Sequence, residues 1–167
     1  ALRMAQLEDS TFTQRKVADI QRVICAAPAY LDACGTPETP DDLLRHQCLL
    51  LRYPGSTQFR WSMGQGKDGV TVPVSGAVDA DDGDVLTDWA LAGQGLVMKP
   101  LFEVARPVAE GRLCVVLKEY PPQPVTLAVL YPTRRMLSRR VKDLVEDMHE
   151  AARKHVTAEL GLLGGHI

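Results

Sequence analysis

Short apolar runs typical of buried strands alternate with segments of helical periodicity along most of this 167-residue chain. The predicted strands cover residues 23–26, 48–53, 59–63, 70–74, 96–98, 113–117 and 125–131. The predicted helices cover residues 28–33, 43–46, 84–92, 101–109 and 138–155. The last strand, VTLAVLY, is apolar on both faces, which is typical of a strand covered by helices. The alternation therefore predicts an α/β fold with a mainly parallel sheet.

Proline and glycine predict where several of these elements begin and end. Pro28 suits the first turn of a helix, and Gly35 suits the left-handed position that ends it. Pro73 lacks a backbone N–H, so the strand at 70–74 is predicted to lie at a sheet edge. The glycine-rich end of the chain predicts a frayed tail over residues 157–167.

Composition excludes several classes of function. The net charge is −2, so the chain lacks the basic surplus with which proteins neutralise DNA phosphates. No apolar run is long enough for a membrane helix, and the first residues do not resemble a secretory signal. The cysteines lack CxxC or metal-ligand spacing, so we expect reduced thiols, a cytoplasmic location, and neither metal nor cofactor. They are Cys25, Cys34, Cys48 and Cys114.

Catalytic motifs are missing from the sequence. It contains no G-x-S-x-G elbow, no phosphate-binding loop and no arrangement of histidine with carboxylates. Gly64 and Gly66 lack the strand-to-helix setting of a dinucleotide fingerprint. We therefore expect a binding protein and not an enzyme.

Three stretches together resemble the LysR-type transcriptional regulators. The first runs from Arg22 to Cys48 and contains RVICAAPAYL, GTP and PDDL. The second, 78–100, has a polar-Asp-Gly helix start, an Ala-Gly-x-Gly turn and a short strand closed by proline. The third, 111–141, contains GRL and VLYPTRR. The resemblance covers residues 3–150 and implies the effector-binding domain, with the fold of type II periplasmic binding proteins.

That fold has two α/β lobes, a hinge of crossover strands and a cleft for a small effector. The resemblance implies that residues 1–26 and 127–156 form part of the first lobe and 27–126 the second, followed by the tail. It also implies a homodimer or tetramer, and DNA binding only through a winged helix-turn-helix that would precede these residues. The alternative is a solute-binding protein of a transport system, which shares the fold.

The resemblance also implies which residues face the effector. They are Ala27, Arg52, Tyr53, Asp81, Asp82, Gly83 and Met98. The family often has serine where this chain has Ala27. Two alternatives stay open: the aspartates at 79–84 could simply cap the helix, and Arg52 could form a strand-end ion pair. Four carboxylates near one helix end predict a neutral or donor-rich effector.

Two other features have a simpler interpretation than a functional one. The basic residues at 134–142 lack interleaved aromatic residues, which favours a solvated helix start over a phosphate-binding patch. Cys25 lies in an apolar run, which favours a buried hydrophobic residue over a redox sensor.

Overall fold

The computed structural model describes residues 1–5, 12–52, 59–64, 69–132 and 138–164. Its strands are β1 (Leu2–Ala5), β2 (Phe12–Ile20), β3 (Arg22–Ala26), β4 (Cys48–Leu51), β5 (Arg60–Met63), β6 (Val70–Pro73), β7 (Asp79–Ala80), β8 (Leu96–Pro100), β9 (Cys114–Val116) and β10 (Val125–Pro132). Its helices are α1 (Pro28–Cys34), α2 (Gly83–Leu91), α3 (Leu101–Ala109) and α4 (Arg139–Gly161), with a 3-10 helix at Pro40–Arg45.

The larger sheet is mixed, so the prediction of a mainly parallel sheet is wrong. Its strand order is β7-β4-β8-β3-β9. The pairs β4–β7 and β4–β8 are parallel, whereas β3 runs antiparallel to both β8 and β9. β3 follows β2 of the smaller sheet, so no strand–helix–strand unit within the larger sheet leads into it and fixes a parallel direction.

Residue alternation along β3 divides the core of the larger sheet between its two faces. Ile24 and Ala26 pack into a cluster with Tyr30 of α1 on one face. Val23 and Cys25 pack into a second cluster, which includes residues of α2 and α3, on the other. The period of two between opposite faces of a strand explains this division. β3 is therefore buried on both sides, as its apolar sequence indicates.

The smaller sheet has the order β1-β10-β2 and is antiparallel throughout the described residues. Helix α4 packs on β2 and β10. Ile20, Leu127 and Val156 of α4 form the buried centre of this layer. The strands β5 and β6 form a separate antiparallel pair that includes Pro73, which confirms its predicted edge position.

Several element ends agree with the sequence and others differ. Helix α1 begins at Pro28 and ends before Gly35, whose φ is 85°. The predicted helix at 43–46 is instead the 3-10 helix Pro40–Arg45. Its first turn is held by the Asp42 carboxylate, which accepts hydrogen bonds from the Thr39 N–H at 2.8 Å and hydroxyl at 3.0 Å.

The prediction of a frayed tail is wrong for the residues that the structure describes. Helix α4 continues to Gly161, well beyond the predicted end at residue 155. Leu163, just after the helix, is only 6% exposed and belongs to the cluster that contains α3. Tertiary packing of this apolar side chain accounts for the order that the local sequence did not predict.

The strand pairing is relevant to the predicted division into lobes, but it does not determine where the lobe boundaries lie. Residues 22–26 pair within the larger sheet, although the predicted first lobe includes them. Helix α2 packs on the larger sheet and α4 on the smaller one. The chain passes between the sheets at Gln21 and returns before Val125. The lobe boundaries stay a prediction.

Candidate functional site

A cleft of about 610 Å³ opens between the two sheets. On one side it meets the carboxyl ends of the parallel strands β4 and β8, where ligands bind in open α/β sheets. On the other side lie β1 and the start of β10. The residues that line it are Arg3, Met4, Arg22, Leu49, Leu51, Phe59, Arg60, Trp61, Ser62, Gly83, Leu86, Met98, Lys99, Pro100, Glu103, Gln123 and Val125.

One wall of the cleft is held in place by hydrogen bonds between distant segments. The Gln123 N–H donates to the Ser62 carbonyl at 3.1 Å, which joins β5 to the segment that returns to the smaller sheet. The Arg22 Nε donates to the Gln123 carbonyl at 2.7 Å. These contacts place Trp61, which is itself mostly buried, beside the start of β3.

The floor of the cleft contains a buried charged residue. Lys99 of β8 is only 4% exposed, and its Nζ donates to the Gly83 carbonyl at 3.0 Å. The same Nζ lies 2.5 Å from a carboxylate oxygen of Glu103, in the first turn of α3. A Cβ atom on Gly83 would lie 2.9 Å from the Lys99 Nζ, so glycine leaves the room that the ammonium occupies.

The residues predicted to face the effector fall into three groups: some line the cleft, others do not, and one lies outside the described residues. Gly83 and Met98 line the cleft. Ala27 is not among the lining residues; it is buried at the N-cap of α1, where its carbonyl accepts from the Tyr30 N–H at 3.0 Å. Tyr53 lies outside the described residues. The effector-binding role of the whole set stays a prediction.

The simpler interpretations of Asp82 and Arg52 are both confirmed. Asp82 is the N-cap of α2, and its carboxylate accepts from the Asp84 N–H at 2.8 Å. Arg52 follows β4 and forms an ion pair with Asp79. Neither Arg52 nor Asp82 lines the cleft, and Asp81 is an exposed residue that does not line it either.

The charge of the cleft differs from the sequence-based expectation. None of the four aspartates between 79 and 84 is among the described lining residues. The charged lining residues are instead Arg3, Arg22, Arg60, Lys99 and Glu103. The described part of the lining thus carries four cations and one carboxylate, so the aspartates give no reason to expect a neutral effector.

Lys99 and Glu103 were not among the residues predicted to face the effector. The local signal that could have found them is a lysine inside the apolar run Leu96–Pro100, followed four residues later by a glutamate. A lysine is rarely buried unless it is paired, so its position in a core strand indicates a nearby acceptor.

Two of the cysteines are buried side chains, and the described basic residues at the start of α4 are exposed to solvent. Burial raises the pKa of the Cys25 thiol to about 12, which suppresses its reactive thiolate form. Cys48 is buried too, and its pKa is likewise raised to about 12. Arg139, Arg140 and Lys142 are exposed at the start of α4, which agrees with a solvated helix start.

The described residues contain neither a cluster of metal ligands nor a membrane-spanning helix. No three histidine, cysteine or acidic side chains come together there in an arrangement that could hold a metal ion. The helices in this part of the chain are too short or too polar to cross a membrane.

A mixed α/β sheet and a second sheet, with a cleft between them at strand ends, define the fold of periplasmic-binding-protein-like effector domains. The family model described as "LysR substrate binding domain" matches residues 1–153. The chain therefore belongs to the LysR substrate-binding domain family, and is a regulatory domain of LysR-type transcriptional regulators.

Curated relatives are transcriptional regulators. The chain is 33% identical over 141 residues to an HTH-type transcriptional regulator of Haemophilus influenzae, covering 84% of this chain and 49% of the relative. It is 34% identical over 100 residues to the HTH-type transcriptional activator TtdR of Escherichia coli K12, covering 60% and 32%. The chain thus spans about a third to a half of these relatives' length.

Solved structures show the same fold. The regulatory domain of CrgA, a LysR-type transcriptional regulator from Neisseria meningitidis, superposes with a TM-score of 0.75 at 28% identity, over 90% of this chain and 73% of that one. The regulatory domain of AphB from Vibrio vulnificus gives 0.72 at 23% identity, with the same coverage. The second likeness concerns the fold alone.

Proposed function

We propose that this chain is the sensing part of a DNA-binding transcriptional regulator and that its effector, a small molecule, binds in the cleft between the sheets. The observation that carries the proposal is the cleft of about 610 Å³ at the carboxyl ends of β4 and β8. Its lining joins apolar side chains such as Leu51 and Met98 to charged groups such as Lys99, and its volume is that of a small-molecule site. Gly83 and Met98 are the predicted effector residues that it includes.

The wall formed by β1 and β10 and the floor formed by β4 and β8 belong to different sheets. An effector that touches both would favour one arrangement of the sheets through its different affinity for the two arrangements. In the proposed division, residues 1–26 and 127–156 move as one lobe and 27–126 as the other. The proposed role is therefore binding and signalling without catalysis.

DNA binding is proposed for the whole regulator and assigned to a helix-turn-helix outside these residues. Support comes from the relatives, which are helix-turn-helix regulators longer than this chain. The chain itself has a net charge of −2, which does not favour phosphate binding. We also propose a homodimer or tetramer, acting in the cytoplasm where bacterial DNA lies.

Blocking the cleft tests the proposal. Purified protein is screened against bacterial metabolites by thermal shift, and each stabilising compound is tested again on Met98→Trp. The larger ring fills the cleft, so stabilisation should disappear in this variant. Val78→Trp is the matched control, because Val78 is exposed and does not line the cleft. Stabilisation that survives in Met98→Trp, or a screen with no stabilising compound, would contradict the proposal.

A further inference from the structure

Helix α4 continues beyond the residues that match the family. The match to the LysR substrate-binding domain ends at residue 153, whereas the helix runs to Gly161 and is followed by the buried Leu163. We refer to residues 154–163 as the strap. Two of its apolar side chains, Val156 and Leu163, are each only 6% exposed. The strap therefore packs on the rest of the domain although it lies outside the matched residues.

The part of α4 that precedes the strap is fixed to the smaller sheet. The Arg15 guanidinium of β2 donates to the Glu146 carboxylate at 2.7 Å. The His149 Nε2 donates to the Lys16 carbonyl of the same strand at 3.0 Å. Val145, earlier in the helix, is buried. These contacts hold the helix on the smaller sheet, so a contact between the strap and the larger sheet's layer joins the two sheets.

The strap contacts helix α3, which follows β8 of the larger sheet, at two places. The Phe102 ring meets the His155 ring edge-on, with centroids 6.0 Å apart, and packs in the cluster of Val156. Further along, Leu163 belongs to the cluster that contains Leu101. A helix rises about 1.5 Å per residue, so positions 156 and 163 lie roughly 10 Å apart. Two contacts at this separation oppose rotation of α3 relative to α4, whereas a single contact would act as a pivot.

The start of α3 lies beside the place where the chain crosses between the sheets. The Leu101 N–H donates to the Gln21 carbonyl at 2.8 Å. Gln21 lies between β2 of the smaller sheet and β3 of the larger one. Rotation of the sheets about this crossing would move α3 relative to α4 and separate Leu163 from its cluster. That separation exposes apolar surface to water, so the docked strap opposes the rotation.

We propose that the strap is a regulatory device: docked on α3, it holds the two sheets in one orientation, and undocked, it lets them rotate about the crossing at Gln21. The proposal deepens the proposed function and rests on it, because an effector acts through the relative stability of two arrangements of the sheets. The docked strap lowers the population of the second arrangement, and an effector that prefers this arrangement has to overcome the strap. The strap thereby sets the effector concentration at which the domain responds.

Pulsed electron paramagnetic resonance measures the distance between the sheets. Spin labels are attached to cysteines that replace Asp88 of α2 and Lys142 of α4, which are both exposed. Helix α2 packs on the larger sheet and α4 on the smaller one, so the two labels report on different sheets. Cys34→Ser and Cys114→Ser remove the cysteines that are not fully buried. The parent with its strap intact should give one narrow distribution of distances.

Two variants undock the strap in this labelled protein. Leu163→Ala removes the second contact and leaves the first in place. It should raise the population of a second distance by about tenfold or more, because loss of a buried leucine side chain shifts an equilibrium by at least this factor. A chain that ends at Gly161 removes the same contact without a substitution and should have at least as large an effect. Leu162→Ala is the matched control, because Leu162 is 41% exposed, and it should keep the distribution of the parent.

Circular dichroism and hydrogen exchange complete the test. If residues 154–163 exchange faster in the variants while the distance stays as in the parent, the strap only frays locally and the proposal is wrong. An equal change in Leu162→Ala and Leu163→Ala also overturns it. If one variant fails to fold, the other decides. If both fail, the strap belongs to the core and cannot be released, which overturns the proposal as well.

The measurements use no ligand, so their failure leaves the cleft as a proposed effector site. Failure of the Met98→Trp screen would in turn leave the effect of the strap on the sheets as measured.

Discussion

Replacing Leu163 with alanine removes an apolar side chain from the last turn that the structure describes. This leucine is 6% exposed and packs in the cluster that includes Leu101 and Val104 of α3. Helix α4 packs mainly on the smaller sheet, whereas α3 follows the last strand residue of β8 in the larger one. Leu163 thus packs the C-terminal end of α4 against α3, which follows a strand of the larger sheet.

The expected loss follows from the buried volume. Buried leucine to alanine substitutions cost about 2–5 kcal/mol through lost transfer free energy and a residual cavity. Leu163 lies at the end of a helix, where neighbours relax more easily, so we expect about 2–3 kcal/mol. For a domain of this size that corresponds to a fall in melting temperature of roughly 4–12 °C.

Thermal and urea unfolding followed by circular dichroism measure this loss. Leu162→Ala is the matched control, because Leu162 is the preceding residue and is 41% exposed. Its substitution should change the free energy of unfolding by less than about 0.5 kcal/mol. If Leu163→Ala and Leu162→Ala had equal stability, the end of α4 would not pack against α3, and a frayed tail would be the better description.

Three further predictions follow from particular contacts. Gly95→Ala should lower stability by about 1–3 kcal/mol in urea unfolding, because its Cβ would lie 2.5 Å from the Gln47 carbonyl oxygen, and unchanged stability would refute the close approach. Hydrogen bonds from backbone N–H groups hold the pKa of Asp42 down to about 2, so its stabilising effect is present above pH 4 and is lost as the pH falls to 2. The stability difference between the parent and Asp42→Asn should therefore shrink across that range, and a constant difference would contradict this. Cys34 is exposed and should react with a thiol reagent at pH 8, whereas Cys25 should react only after unfolding, as mass spectrometry of the labelled protein can show.

Local sequence was sufficient to predict most of the elements and several of their ends, although not the strands β1, β2 and β7. The start of α1 at Pro28 and its end before Gly35 depend on backbone preferences of single residues. The bounds of α3, Leu101–Ala109, are those predicted from the sequence, in which Gly111 follows the helix. These signals can be recognised in a single sequence because the residues that produce them are neighbours along the chain.

The directions of strand pairing depended on contacts far apart in sequence. Arg22 of β3 lies opposite Pro100 of β8, and Ala26 lies opposite Cys114 of β9. An apolar strand is buried in either orientation, so its composition does not distinguish parallel from antiparallel neighbours. Tertiary structure decided that β3 lies antiparallel to both.

The candidate site was likewise predicted in part from the sequence and decided in part by the tertiary structure. The sequence by itself predicted an α/β effector domain and the helix start that contributes Gly83 to the cleft. It did not predict the basic charge, because the aspartates near that helix start lie outside the lining while arginines come from β1, β3 and β5. The net charge of a site depends on all the charged side chains that folding brings together there, including those far apart in sequence. Only the tertiary structure placed Lys99 between Gly83 and Glu103, facing the cleft.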